Sequence, residues 1–457
     1  MSASSDRIPI PPRPLGLHQK PRRRLTVAAL ICLSLMAAAL FVVRGPVRAV
    51  QHSFDLVLIY PASRAWLIGS NPYNSADLDR VMTQSVSDPA DRPTRQQDPS
   101  LYPPATFVLM APFAAMKWPA AKVAWMAANL GFLLMLVLGA IRLAEFKLTD
   151  TGTWVLAICL LAFGAVHTGF ASAQLGLAST ALIVLALVNS TAGRQIIAAT
   201  ALGLATALKP QMGALFFLCF VVDRQWKALA MAVGLGLAVL LVGGLRLQAA
   251  GYDWVSDLLW SVRTFSEGGQ GDPSSVNMNR YQLVNLASLL HSFLDSRIAV
   301  KAIVWTCVAA ATAWSYTSVR RLRDRESRES KLLFASVLSL LTLLMAYHRY
   351  YDAVLLALPL AWSLARLSSW PRRSAQVALM LLIPLSVSGV GALNVLIRKG
   401  WIQPRVSDQW WWGGLVMAHQ VWLLCGLTVW LLLVLWRKSR APRGDGWAVS
   451  VGEWVSG

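Results

Sequence analysis

Three polar interruptions of apolar sequence carry the chemistry this chain offers. The first is Asp55, near the head of "SFDLVLIYPASRAWLIGSNPYNSADL" (Ser53 to Leu78). A carboxylate just beyond an apolar run suits a general base toward a hydroxyl. It equally suits a helix N-cap, a position Asp favours. The second is Lys209 in "ALKPQ" (Ala207 to Gln211), beside a proline at the end of an apolar run. A cation there can neutralise a phosphodiester, or simply snorkel from a helix end. The third is "AYHRYYDAV" (Ala346 to Val354), set between "LLFASVLSLLTLLM" and "LLALPLAWSLA". His348 and Asp352 stand four residues apart and share a face if the segment is helical. His348 and Arg349 suit phosphate or hydroxyl groups, while Tyr347, Tyr350 and Tyr351 suit an aromatic belt.

The elements that must position these groups are set by composition. Hydrophobic residues make up 56% and charged residues 14% of the 457, against about 25% charged in soluble domains. Runs such as "LTVAALICLSLMAAALFVV" (Leu25 to Val43) are long enough to cross a hydrocarbon core of about 30 Å. An all-α polytopic membrane protein is therefore expected; an outer-membrane barrel would show short alternating strands. The first run exceeds a cleaved signal's apolar region and lacks a small-residue cleavage site, so it reads as a retained span. The net charge of +20 does not imply nucleic acid. Lys and Arg cluster at the ends of apolar runs, in "KPRRR", "RRLRDRESRESK", "PRR" and "RKSRAPR", which is topological information. The five cysteines are scattered through apolar runs and imply neither a disulfide frame nor a metal site.

With "KPRRR" (Lys20 to Arg24) in the cytoplasm, about twelve crossings follow. They lie near 25–43, 119–141, 151–168, 174–190, 195–208, 210–222, 228–247, 299–317, 331–347, 352–368, 375–394 and 413–436. The Pro-bounded run 103–116 reads as interfacial or re-entrant. Residues 1–24 and 437–457 become cytoplasmic tails, and 25–436 one transmembrane domain with structured outer loops at about 44–118 and 248–298. Asp55, His167, Gln174, Lys209, Arg263, Arg280, His348, Arg349 and Asp352 then converge on the outer face. At the mouth of a span, "AYHRYYDAV" need not cross hydrocarbon.

Four stretches resemble glycosyltransferase family 87, in order along the chain. They are "SFDLVLIYPASRAWLIGSNPY", "YPPATFVLMAPFA", "ALKPQMGALFFL" and "HRYYDAVLLALPL". This is a branch of the GT-C membrane glycosyltransferases that includes polyprenol-phosphate-mannose-dependent mannosyltransferases. The resemblance implies a GT-C fold, a polyprenyl-phosphate sugar donor, a glycolipid or glycan acceptor entering from outside, and inversion at the anomeric carbon. It gives Asp55 the catalytic-base role. Lys209, with His348 or Arg349, would hold the departing phosphate. Asp352, Tyr60, Tyr73, Tyr102, Gln174 and Arg280 are further candidates for binding substrate. The family often has adjacent Gly-Gln and then Asn at one outer turn; here Ala173 precedes Gln174, and Leu175-Gly176 follows.

The expected activity is transfer of a hexose, mannose first, at the outer face of a bacterial inner membrane. No nucleotide-sugar domain is apparent, and no divalent metal is indicated. Two other readings stand beside it: a transporter or flippase of lipid-linked saccharide, and a ligase or polymerase of surface polysaccharide. A transporter should show internal repeats, and none is convincing. A ligase or polymerase should gather its chemistry in one large loop, whereas these candidates are dispersed.

Overall fold

A computed structural model describes residues 19–52, 55–86, 98–322, 327–367, 372–407 and 409–441. Most of the two basic tails, residues 1–18 and 442–457, lies outside them, as do 323–326 of the "RRLRDRESRESK" loop. Among the described residues every regular element is helical, apart from a single antiparallel bridge between Leu283 and Arg349.

Six helical stretches are long and apolar enough to cross a membrane: Leu25–Val50, Trp118–Leu143, Trp226–Ala249, Arg297–Arg321, Arg373–Arg398 and His419–Arg440. Thr151–Ala162 and Gly164–Ala171, bent by 49° at Phe163, make a seventh if counted as one span. By length and composition alone this gives six or seven candidate crossings, so the expected twelve are not confirmed. The shortfall has local causes. Leu175–Thr191 ends two residues before Gly193, whose φ of +73° turns the chain back. Gln195–Leu208 has 14 residues, about 21 Å at 1.5 Å per residue. It stops because Pro210 disfavours the helical region for the residue before it, and Lys209 adopts φ −151° and ψ 85°. Pro104–Ala114, with 11 residues, is likewise too short to cross.

Arg328–Met345 lies at the centre of the bundle. Its first turn carries Arg328, Glu329 and Lys331, and almost every later side chain is buried. It packs against Arg297–Arg321, Ala357–Leu367 and His419–Arg440. An extended stretch then carries His348 and Arg349 into a seven-residue 3-10 helix, Tyr350–Leu356. The His348 carbonyl accepts from Val284 N–H at 2.9 Å, so the outer loop fastens this stretch.

Ion pairs gather the charged helix ends at one end of the bundle. Arg328 pairs with Glu145, Lys331 with Asp223 at 3.0 Å, and Lys438 with Glu329 at 2.8 Å. These are the ends that the charge pattern assigns to a common side. Leu175–Thr191 runs from the opposite end down to this one.

Candidate functional site

Asp55 begins the helix Leu56–Ile68, but its carboxylate makes no capping bond. Its backbone N–H donates to the Ser172 carbonyl at 3.0 Å, and the Gln174 side chain lies near enough to its carboxylate to favour the ionised form. The amide of Gln174 has only one usable orientation. Its Oε1 accepts from Leu175 N–H at 3.1 Å, which leaves the NH2 group to serve Asp55. The turn that carries Gln174 is held in an uncommon shape. Ala173 has φ +55°, and its carbonyl accepts from the Trp125 indole at 2.8 Å.

Tyr102 lies in the same group, close enough to Gln174 and Asp55 for each to act on its hydroxyl. Its extended backbone before Pro103 is held by the Tyr73 hydroxyl, which donates to the Tyr102 carbonyl at 2.9 Å. The "GSNPY" turn behind it forms as its residues dictate. Gly69 takes φ +80° to close the helix, and the Asn71 side chain accepts from Tyr73 N–H at 2.9 Å.

On the far wall, Lys209 Nζ meets Asp352 Oδ1 at 2.5 Å, and Asp352 Oδ2 lies 3.0 Å from His348 Nδ1. Lys209 is 4% exposed; His348 and Asp352 are fully buried. His348 and Asp352 meet although His348 precedes the helical turn. The segment's charges thus enter the protein instead of resting at the mouth, and they do so already paired. Gly176 permits the arrangement: a Cβ there would stand 2.5 Å from Asp352 Oδ1. The carboxylate also sits at the N-terminus of Leu175–Thr191, where the helix dipole favours an anion. With Asp352 ionised, the His348 Nδ1–H donates to it and Nε2 presents a lone pair. That Nε2 is buried without a partner.

Arg349 reaches the site by a different route. Its Nη2 donates to Gln270 Oε1 at 2.6 Å, while its buried Nε has no partner. The charges of Arg349, Lys209 and Asp352 all act on Asp55. Burial raises its pKa to about 6, against the lowering effects of the Gln174 side chain and of Arg349 and Lys209; Asp352 adds to the rise. A carboxyl group so placed is mostly ionised at neutral pH and still basic enough to take a proton.

Asp55, Gln174, Tyr102, Lys209, His348, Arg349 and Asp352 thus form one group. Tyr73 supports it from behind. Tyr60 turns away, its hydroxyl donating to the Met116 carbonyl at 2.8 Å and its ring packed on Trp118. Arg280 Nη2 donates to the Tyr281 hydroxyl at 2.7 Å, with Nη1 buried and unpartnered. The tyrosines of "AYHRYYDAV" do not form a lipid-facing belt. Tyr350 and Tyr351 are buried; the Tyr350 hydroxyl donates to the Leu385 carbonyl at 3.0 Å, and Lys209 lies over the Tyr351 ring at 5.2 Å. Tyr347 stands edge-on to Phe265. Sequence reasoning missed Trp125, Gly176 and Gln270. Each acts on a partner dozens of residues away, and no local pattern marks it. Among the described residues no three His, Cys, Asp or Glu side chains gather as a metal site would require.

The model of glycosyltransferase family 87 matches residues 101–347 of this chain, just over half of it. Two curated relatives from Mycobacterium tuberculosis, of strains CDC 1551 / Oshkosh and ATCC 25618 / H37Rv, bear the name alpha-(1->3)-arabinofuranosyltransferase. Each is 29% identical over 136 residues, which is 29% of this chain and 31% of the relative. The chain thus spans under a third of the length of these relatives. Asp55 and the His348–Asp352 segment lie outside the family match, and the folded chain brings them onto it.

Proposed function

The chain belongs to glycosyltransferase family 87, and from that premise we propose that it moves a sugar from a polyprenyl-phosphate carrier to a lipid or glycan acceptor, with inversion. The observation that carries this reading is Asp55. It is the one carboxylate of the group with no ion-pair partner among the described residues, beside an arginine with a free N–H.

In this mechanism the Asp55 carboxylate takes the proton from the acceptor hydroxyl. The freed oxygen attacks the anomeric carbon from the face opposite the phosphate, and the carbon–oxygen bond to phosphate breaks. Its electron pair leaves with the polyprenyl phosphate, and the proton stays on Asp55. General-base action of this kind contributes about 10²- to 10⁴-fold. Arg349 meets the charge that develops on the departing phosphate, and His348 Nε2 accepts from a sugar or acceptor hydroxyl. Lys209, already engaged by Asp352, holds the wall in place and lends a more distant positive field.

A lipid-linked donor is supported by an apolar groove of about 420 Å³ between Pro210–Val222 and Arg297–Arg321. Leu215, Leu218, Trp305, Val308 and Met345 line it, and Met345 is three residues from His348. A prenyl chain fits such a surface. On this reading residues 25–436 form one transmembrane domain. Its Asp55 end faces the outside of a bacterial inner membrane, and both tails are cytoplasmic.

Two sugars have separate support. The family resemblance favours mannose, and the name of the two relatives favours an arabinofuranose. The decisive experiment supplies purified protein with polyprenyl-phosphate mannose or polyprenyl-phosphate arabinofuranose and a panel of lipid and glycan acceptors. Product without any nucleotide sugar is expected from one donor. Transport of an intact lipid-linked saccharide with no new glycosidic bond would sink the transferase mechanism. Transfer that survives in Asp55→Asn would sink the base assignment.

A further inference from the structure

A second site lies at the end of the bundle remote from Asp55. The helix Leu175–Thr191 has its first residue beside the catalytic group and its last turn at this end, roughly 25 Å away by its length. Here a cavity of about 580 Å³ opens between the ends of Trp118–Leu143, Leu175–Thr191 and Arg328–Met345. Its charged lining is Arg142, Arg194, Arg328, Lys331 and a single acid, Glu145. Glu145 pairs with Arg328, and Lys331 is paired with Asp223 from outside the cavity. Among the described residues, neither Arg142 nor Arg194 has an acidic partner within ion-pair distance. Below this cationic rim the floor is apolar, with Leu187 and Leu332.

We propose that this cavity is a binding site for the headgroup of an anionic phospholipid, separate from the sugar-transfer site. Three features converge on that occupant. The excess cationic charge calls for an anion. The layering of arginines over an apolar floor matches a phosphate joined to acyl chains. The volume is also far larger than one inorganic phosphate would fill. Basic cavities between helix ends at a membrane surface recognise such headgroups by charge. Neither Arg142 nor Arg194 touches the Asp55 group, so the site stands or falls independently of the transferase mechanism.

The test is native mass spectrometry of the delipidated full chain, titrated in parallel with phosphatidylglycerol and with phosphatidylcholine. Phosphatidylglycerol should be retained selectively, and Arg142→Gln with Arg194→Gln should lower its retention about tenfold. The charge-conserving pair Arg142→Lys with Arg194→Lys should keep most of it. Both arginines are exposed, so monodisperse elution and an unchanged melting temperature are expected and checked. Equal retention of the two lipids would overturn the proposal, as would undiminished retention by the Gln variant or an equal loss in the Lys variant. Displacement of phosphatidylglycerol by millimolar inorganic phosphate would make the site one for a free anion and would overturn the lipid assignment.

Discussion

Asp352 is fully buried and Asp55 only partly so, and their surroundings differ in kind. Asp352 is saturated: Lys209 takes one oxygen, His348 takes the other, and a helix N-terminus faces it. Asp55 has no ion-pair partner among the described residues, the Gln174 amide lies near it, and its cations stand further off. A buried ion pair removes two charges from chemistry and turns them into architecture, because either one left alone costs several kcal/mol. A carboxylate with no ion-pair partner keeps its basicity. Two acids that look equally suitable in sequence are thereby assigned opposite work.

The largest effect expected from this contrast is Asp55→Asn. Transfer should fall by about 10²- to 10⁴-fold, while thermal unfolding and membrane insertion stay unchanged. A variant that loses stability instead would make Asp55 a structural acid like Asp352. Next, Asp352→Asn should destabilise the protein by about 3–5 kcal/mol by leaving Lys209 buried without a counter-charge. Adding Lys209→Met should restore much of that, measured as the melting temperature of the double variant against each single one. If the two losses simply add, the pair is not coupled. Arg349→Gln should cost on the order of 10²-fold in turnover through the phosphate it no longer stabilises, with melting little altered.

The pH profile is a finer test. Asp55 must be ionised to accept a proton, and its pKa is raised to about 6. Turnover should therefore rise with pH through about 6 and level off above it. Gln174 lowers that pKa, so Gln174→Ala should move the midpoint upward. A midpoint near the ordinary carboxylate value would mean that another group limits the rate. Smallest of all, Tyr60→Phe should cost about 1 kcal/mol of stability from one lost hydrogen bond and leave turnover unaltered.

Much of the site was legible because a membrane protein's polar residues are conspicuous. Asp55, Lys209, His348, Arg349 and Asp352 each break an apolar run, and all five converge. Their division of labour was not legible. Lys209 and Asp352 are 143 positions apart, and nothing local says that one will neutralise the other. Gln174 looked doubtful for lack of a preceding glycine. The structure instead gives Ala173 a glycine-like φ and lets Trp125, deep in another apolar run, secure it. The fold class and the common side of the basic ends were also accessible, since both follow from burial and charge. Twelve crossings are not confirmed, since only six or seven stretches are long and apolar enough to cross by themselves. An apolar run reports burial, and helices such as Leu175–Thr191 find that burial within the protein. The same reasoning explains the tyrosines, whose polar tips look interfacial in sequence but find carbonyl and cationic partners inside.

The central position of Arg328–Met345 bears on how this protein is made. Its first turn carries Arg328, exposed, and Glu329 and Lys331, half-buried, at the charged end of the bundle. Glu329 finds its cations in Arg366 and Lys438, and the flank of the helix is covered by His419–Arg440. Those partners emerge from the ribosome after it. The helix that delivers His348 and Arg349 to the site therefore has to wait for the last described helix of the chain. The wall that carries His348 and Arg349 is thus completed only when the C-terminal part of the described chain has packed against it.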